Sequence, residues 1–212
     1  MSDQATYKLA VLVSGSGSNL QALLDDQQGY RVELVLADRT AAYGLQRGLE
    51  AGVATVALPL RRPRDVDERS AWERRVVAVL DAFDWDLLVM AGWMRVMSPW
   101  FIGRYAGRTI NQHPALLPDD GAASYVLRNG ETVPAIRGAH AVRDALRLGL
   151  PVTGCTVHWV TPEVDVGPAL ARAEVAVLPG DDEASLHERI KLEERRLIVE
   201  VVRRLAKQEP NL

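Results

Sequence analysis

The chain has 212 residues, 48% of them apolar and 25% charged, with 25 basic against 28 acidic side chains and a net charge of −3. That is ordinary globular usage and enough chain to bury the core of one large α/β domain, which excludes global disorder. The scattered arginines mostly alternate with acids and make no nucleic-acid surface, no apolar run is long enough to span a membrane, and the single cysteine, Cys155, excludes an internal disulfide. The N-terminal MSDQATYK has no signal-peptide run, so a reducing, cytoplasmic setting is expected.

The segment Lys8-Leu9-Ala10-Val11-Leu12-Val13 reads as a strand buried on both faces. It ends in Ser14-Gly15-Ser16-Gly17-Ser18-Asn19, and Leu20 to Leu24 then has helical spacing. Val32 to Ala37 predicts a second strand, Gly44 to Ala51 a helix, and Ala54 to Leu58 a third strand. Over Asp67 to Phe83, the apolar residues Trp72, Val76, Val79, Leu80 and Phe83 recur at helical spacing. Leu87 to Met90 is another buried strand, Pro99 opens a short helix, and Thr109 to His113 is a strand stopped by Pro114. Ala139 to Leu148 reads as a helix. Longer strands follow at Thr153 to Val160 and Ala169 to Val177, and a last helix runs from about Asp182 to Lys207. The alternation implies an α/β fold: a mostly parallel twisted sheet with helices on both faces and antiparallel strands in the C-terminal part. No repeat or linker divides it, so one domain, 1–212, is expected, with ligands beyond the carboxyl ends of the strands.

Strand, glycine loop and helix form a phosphate-binding arrangement, because glycines admit close backbone approach and a helix N-terminus offers free N–H groups. A dinucleotide site is one alternative: Gly15 and Gly17 begin that fingerprint and Asp38 lies near the expected distance, but the third glycine position is Leu20. A tight turn without a ligand is the other. Asn111 and His113 alternate on one strand and so share a face at its carboxyl end. Asp165 lies in the later loop Glu163 to Pro168. Formyl or acyl transfer to an amine needs donors for an oxyanion and an acceptor for the amine proton. An Asn amide and a protonated His are such donors, and a nearby Asp keeps the His charged and takes up a proton through water. His158, beside Trp159, reads as structural, and His187, near the start of the last helix, as solvated. No two histidines have metal-ligand spacing, so no metal is expected.

Together these segments resemble the glycinamide ribonucleotide formyltransferases, a folate-dependent formyltransferase family of purine synthesis. The resemblance rests on Val13 to Leu20, Ala91 to Arg95, Asn111-Gln112-His113-Pro114-Ala115-Leu116-Leu117-Pro118, Gly154 to His158, Asp165 to Pro168 and Ile190 to Glu194, in order along nearly the whole chain. It implies a formyltransferase-type Rossmann-like fold and transfer of the formyl group of 10-formyltetrahydrofolate to the amine of glycinamide ribonucleotide. It implies Asn111, His113 and Asp165 as a catalytic trio. Gly15, Gly17, Ser18 and Asn19 would hold the substrate phosphate. Lys191 and Glu194 match positions near the phosphate and ribose, and three apart on a helix they share a face. Met94, Arg95 and Val96 match a strand end lining the folate pocket, Val160, Thr161, Glu163 and Val164 the loop around the pterin, and Arg69 a position near the folate glutamate tail. The implied partners are small molecules, with no nucleic acid and no membrane; a homodimer is left open. Rival readings are a deformylase, a methionyl-tRNA or sugar-amine formyltransferase, and a ligand-binding relative altered by an insertion.

The chain departs from the family at Trp93, where Phe is usual, and at Arg195, where His is common. The largest departure follows Pro118. The family passes into a short Pro-Gly-x-His turn matching Gly138 and His140, whereas here 119–136 intervene and Arg137 replaces the proline. Within the insertion, Ser124 to Arg128 and Glu131 to Val133 flank Asn129-Gly130, which predicts a hairpin with a two-residue type I′ turn and positive φ at both central positions. An isolated hairpin is marginal in water, so it is expected to pack at the active-site mouth beside His113 and His140, with a partner subunit next in line. A mobile loop is the alternative.

Overall fold

The computed structural model describes residues 6–62, 64–119 and 121–207; the first five residues of the N-terminal reading lie outside these. The elements follow in order: β1 (Tyr7–Val13), α1 (Ser18–Asp26), β2 (Tyr30–Ala37), α2 (Tyr43–Glu50), β3 (Ala54–Ala57), α3 (Val66–Leu80), β4 (Leu87–Met90), α4 (Pro99–Arg104) and β5 (Thr109–His113). Then come β6 (Ser124–Val126), β7 (Thr132–Pro134), α5 (Ala141–Arg147), β8 (Val152–Trp159), β9 (Ala169–Ala176) and α6 (Glu183–Ala206). Seven strands form one sheet in the order β3-β2-β1-β4-β5-β8-β9. The first five are parallel, and β8 pairs antiparallel with both β5 and β9.

Alternation within the buried strands divides the core into two layers. Leu9, Val11 and Val13 of β1 pack with Leu20 and Leu23 of α1 and with Ile190, Leu197 and Ile198 of α6. Ala10 and Leu12 face the opposite way, onto Trp72, Val76 and Leu80 of α3 and Phe101 of α4. Side chains cap several helices: Asp65 accepts from Glu68 N–H before α3, Ser98 from Phe101 N–H before α4, and Asp182 and Ser185 form a reciprocal box at α6. The α1 N-terminus has no such side-chain cap. The chain leaves β1 toward β2 on one side and reaches β4 on the other, so a crevice opens between β1 and β4 at their carboxyl ends.

The insertion does form a hairpin, with Tyr125 opposite Val133 and Val126 opposite Thr132. The turn and the seat both differ from expectation. Gly130 N–H donates to the Leu127 carbonyl at 2.9 Å and Leu127 N–H to Glu131 at 2.7 Å, so the loop is three residues, 128–130. Only Gly130 has positive φ, at 87°; the Asn129 side chain instead accepts from Glu131 N–H at 2.9 Å, which favours the bulged turn over type I′. The hairpin body packs on its own chain away from the cleft mouth. Leu127 and Val133 bury against Leu116, Tyr125 lies under the Arg172 guanidinium at 5.5 Å, and Arg128 N–H donates to Glu174 at 2.8 Å.

Candidate active site

A cleft of about 470 Å³ lies beyond the carboxyl ends of β1, β4 and β5. At one end β5 presents Asn111 and His113. The loop after β8 folds back and brings Asp165 Oδ2 to 3.4 Å from His113 Nδ1. Asp165 sits at φ 56°, a left-handed conformation uncommon outside glycine. It is held there by Gly138 N–H, which donates to Oδ2 at 2.9 Å, and by Arg137 Nε, which donates to its carbonyl at 3.2 Å.

His113 Nε2 lies 2.7 Å from the Ile136 carbonyl, so that nitrogen carries a proton and donates it. Burial pushes the His113 pKa down from 6.5, and the Asp165 carboxylate and Ile136 carbonyl pull it up without offsetting this. The expected His held charged by its Asp is therefore corrected. At 4% exposure the desolvation of an imidazolium outweighs one carboxylate, and the ring is neutral at neutral pH. For Asp165 burial acts upward, but the neighbouring His158 ring, the His113 charge present in acid and Gly138 N–H outweigh it and hold the carboxyl at about 2.

His158 is a second correction. It stands opposite Asn111 in the β5–β8 pair, with Nε2 3.3 Å from Asn111 Nδ2 and 3.6 Å from Asp165 Oδ1. It thus links the other two members of the site, a role set by cross-strand register that the sequence did not display. Thr156–His158 alternation was the only available signal.

Acidification should destabilise the fold in two windows. A neutral buried His binds protons more weakly than its unfolded counterpart, so stability present above pH 6.5 is lost below it; His187, lowered by burial and Lys191, adds in the same direction. Asp165, lowered from 3.8 to about 2, contributes stability above pH 3.8 that is lost as pH falls toward 2, about 2 kcal/mol in all. Thermal midpoints of the unaltered chain and His113→Gln, from about pH 8 to about pH 3, check this. The first window should shrink in His113→Gln; an unchanged course would remove His113 from the account.

The glycine loop forms the other end of the cleft. Gly17 caps α1 at φ 68°, and a Cβ there would lie 2.6 Å from Gly44 Cα, so only glycine fits. With no side-chain cap, the leading N–H groups and positive dipole end of α1 are left for an anion. Gly15, Ser18, Asn19, Lys191 and Glu194 join Gly17 in the lining. Lys191 Nζ rests 2.7 Å from Glu188, while Glu194, 6% exposed, accepts from Asn19 Nδ2 at 3.4 Å. Burial pushes the Glu194 pKa up, against the Asn19 and Gln112 amides and Lys191. His187, expected to be solvated, lines the cleft one turn before Lys191, because the α6 face carrying 187, 191 and 194 turns inward. Asp38 does not serve as a nucleotide acid. It is 1% exposed and paired with Arg95 Nε at 2.5 Å.

Met94, Arg95, Val96, Val160, Thr161, Glu163 and Val164 form a third wall. Arg69 is not among the lining residues: its guanidinium donates to the carbonyl of Val96 in that wall and lies 3.8 Å from Glu73. Among the described residues no cluster of His, Cys, Asp and Glu suits a metal ion, and no helix is long and apolar enough to cross a membrane.

A family model described as formyl transferase matches residues 7–202, nearly all the described chain. The chain belongs to the formyl transferase family. Within that family it is 44% identical over 206 residues to the phosphoribosylglycinamide formyltransferase of Mycobacterium tuberculosis, covering 95% of this chain and 86% of the relative. It is 36% identical over 190 residues to the protein of that name from Escherichia coli, covering 88% and 81%. The crystal structure of glycinamide ribonucleotide transformylase 1 from Symbiobacterium toebii superposes with a TM-score of 0.83 at 36% identity, covering 98% of this chain and 92% of that one.

Proposed function

We infer that this formyl transferase moves the formyl group of 10-formyltetrahydrofolate to the amine of glycinamide ribonucleotide. The observation that carries the reading is the division of one cleft. Asn111, His113 and Asp165 converge at one end, and the glycine loop with Lys191 lies at the other, as a substrate with an amine and a phosphate requires. The formyl-transfer relatives support the choice of substrates. The third wall sets apolar Met94, Val96, Val160 and Val164 beside polar Arg95, Thr161 and Glu163, a mixture that suits the flat, polar-edged ring of a reduced folate.

In this reading the amine nitrogen attacks the formyl carbon, and the carbonyl oxygen becomes an oxyanion. The Asn111 amide and the His113 Nε2–H donate to it, the latter leaving the Ile136 carbonyl to do so. The amine proton passes to water held by Asp165, whose carboxylate is ionised throughout the neutral range. The carbon–N10 bond then breaks, and the folate nitrogen takes a proton. Cys155 takes no part; it is buried and its thiol pKa is pushed up by burial. A single reduced thiol suits the cytoplasm.

The insertion enters as a clamp. Arg137 joins the hairpin stem, through the Ala122 carbonyl at 2.8 Å, to the backbone of Asp165 at 3.2 Å. Ile136 holds the His113 ring.

The test is a formyl-transfer assay with glycinamide ribonucleotide and 10-formyltetrahydrofolate, run with and without the amine. Formate release without the amine would instead indicate a deformylase. Lys191→Ala should raise the KM for glycinamide ribonucleotide several-fold (~1 kcal/mol), with less effect on the folate KM, since the contact is remote from the reacting atoms. Equal effects on both substrates would remove Lys191 from the phosphate site.

A further inference from the structure

The glycine loop is braced from behind by α2, which contributes no residue to the cleft lining. Gly44 N–H donates to the Gly15 carbonyl at 3.1 Å, so the close approach of Gly44 to Gly17 is tied by a backbone bond. Arg47, one turn further along α2, reaches the same loop with its side chain. Its Nε donates to the Ser16 carbonyl at 2.8 Å and its Nη1 to the Gln21 side chain of α1 at 2.7 Å. The guanidinium also lies 4.9 Å from the centre of the Tyr43 ring. Three restraints on one half-buried planar group leave it little freedom.

The Ser16 carbonyl shares a planar peptide with the Gly17 N–H, and in a trans peptide the two point in opposite directions. Fixing the oxygen on Arg47 therefore fixes that N–H, turned away from Arg47. Gly17 is left-handed, at φ 68° and ψ 29°, and helical Ser18 follows it. A left-handed residue joined to a right-handed one makes successive N–H groups converge into a concavity that takes an anion. Here those groups are the N–H of Gly17, Ser18 and Asn19, and none has a hydrogen-bond partner among the described residues. The first α1 residue to bond back is Gln21, to the Gly17 carbonyl at 2.9 Å. The Arg47 charge stands behind the same groups and adds to the positive end of α1.

We propose that Arg47 is a positioning residue for phosphate recognition: it holds the Ser16–Gly17 peptide so that the Gly17, Ser18 and Asn19 N–H groups converge on the phosphate, without itself touching the substrate. This rests on the functional reading given above, which supplies the phosphorylated amine. A plain structural brace would instead join α2 to α1 through Gln21 and leave the affinity of the loop alone.

The test compares the unaltered chain, Arg47→Ala and Arg47→Lys on glycinamide ribonucleotide and on its dephosphorylated ribonucleoside. Inorganic phosphate serves as a further probe, both as a competitive inhibitor and in titration calorimetry. Arg47→Ala should raise the ribonucleotide KM about tenfold, the low end of the value of a hydrogen bond from a charged donor. The change in kcat should be smaller, and the folate KM should stay in place. The phosphate Ki should rise by the same factor as the ribonucleotide KM. Transfer to the ribonucleoside, which has no phosphate for the loop to bind, should keep its kcat/KM. Arg47→Lys should recover part of the loss, because an ammonium cannot reach both acceptors as the planar fork does. A folded Arg47→Ala chain with an unchanged ribonucleotide KM and phosphate Ki would overturn the proposal. An equal loss on the ribonucleoside would overturn it too, since that marks a structural brace. If Arg47→Ala fails to fold, an unchanged phosphate Ki in Arg47→Lys would overturn it instead. Should the unaltered chain transfer no formyl group to glycinamide ribonucleotide, the functional reading falls, and calorimetry decides the role of Arg47 separately. A phosphate affinity weaker in Arg47→Ala than in the unaltered chain would support that role; an equal affinity, or none in either chain, would overturn it.

Discussion

His113→Ala should slow turnover by at least about a hundredfold, and Asn111→Ala should do the same. Removing one preorganised oxyanion donor costs roughly 2.7–4 kcal/mol of transition-state stabilisation. Asn111 is held before substrate arrives by His158 at 3.3 Å, and the His113 ring by Ile136 at 2.7 Å, a bond its Nε2–H gives up for the oxyanion. Asp165→Asn should fall in the same range for a different reason. Asn keeps the shape and can still accept from Gly138 N–H, so the φ 56° backbone survives. What it loses is the anion. The water that receives the amine proton then has no carboxylate to hold it, and the His113 ring loses the negative charge 3.4 Å from its Nδ1. Single-turnover rates on folded variants separate chemistry from binding. A folded His113→Ala chain turning over near the unaltered rate would sink the assignment.

Arg137→Ala should lower kcat by about ten- to a hundredfold, because hydrogen bonds from a charged donor contribute about 1.5–3 kcal/mol. The guanidinium spans 2.8 Å to Ala122 and 3.2 Å to Asp165, so its loss uncouples the insertion from the catalytic loop. Asp165 then keeps the Gly138 N–H and its two histidine neighbours on the side chain but loses the Arg137 hydrogen bond to a backbone that a non-glycine residue resists. The effect should fall on kcat, with both KM values nearly unchanged, since Arg137 does not line the cleft. Arg137→Lys should recover little, because an ammonium cannot bridge two carbonyls as a planar fork does. A second readout is the acid limb of the pH–rate profile, which should shift as the Asp165–His113 distance loosens. Unchanged kcat in a folded Arg137→Ala chain would show that the hairpin merely covers the sheet edge.

Most of the scaffold was written locally in the chain. Continuous apolar runs such as Leu9 to Val13 and Leu87 to Met90 mark strands buried on both faces, and 3.6-residue spacing from Trp72 to Leu80 marks α3. Glycine and proline punctuated the elements, and local chemistry sufficed to place the glycine loop at a helix N-terminus and Asn111 with His113 on one face. The hairpin was legible too, because Asn129-Gly130 between β-prone runs is a local signal. Its turn type was not, since the Asn129 side chain took the Glu131 N–H that in a type I′ turn donates to the carbonyl of residue 128.

What the tertiary structure alone decided are relations between segments distant in sequence. His158 meets Asn111 through a β5–β8 register that no local pattern fixes. Arg137 and Ile136 reach Asp165 and His113 only because the insertion folds back on its own chain. His187 turns inward because the rotation of α6 is set by its apolar face on the sheet. The His113 charge state reversed for the same reason. A carboxylate partner can be anticipated from motifs, but desolvation depends on how completely the rest of the chain excludes water, and that burial exists only in the assembled fold.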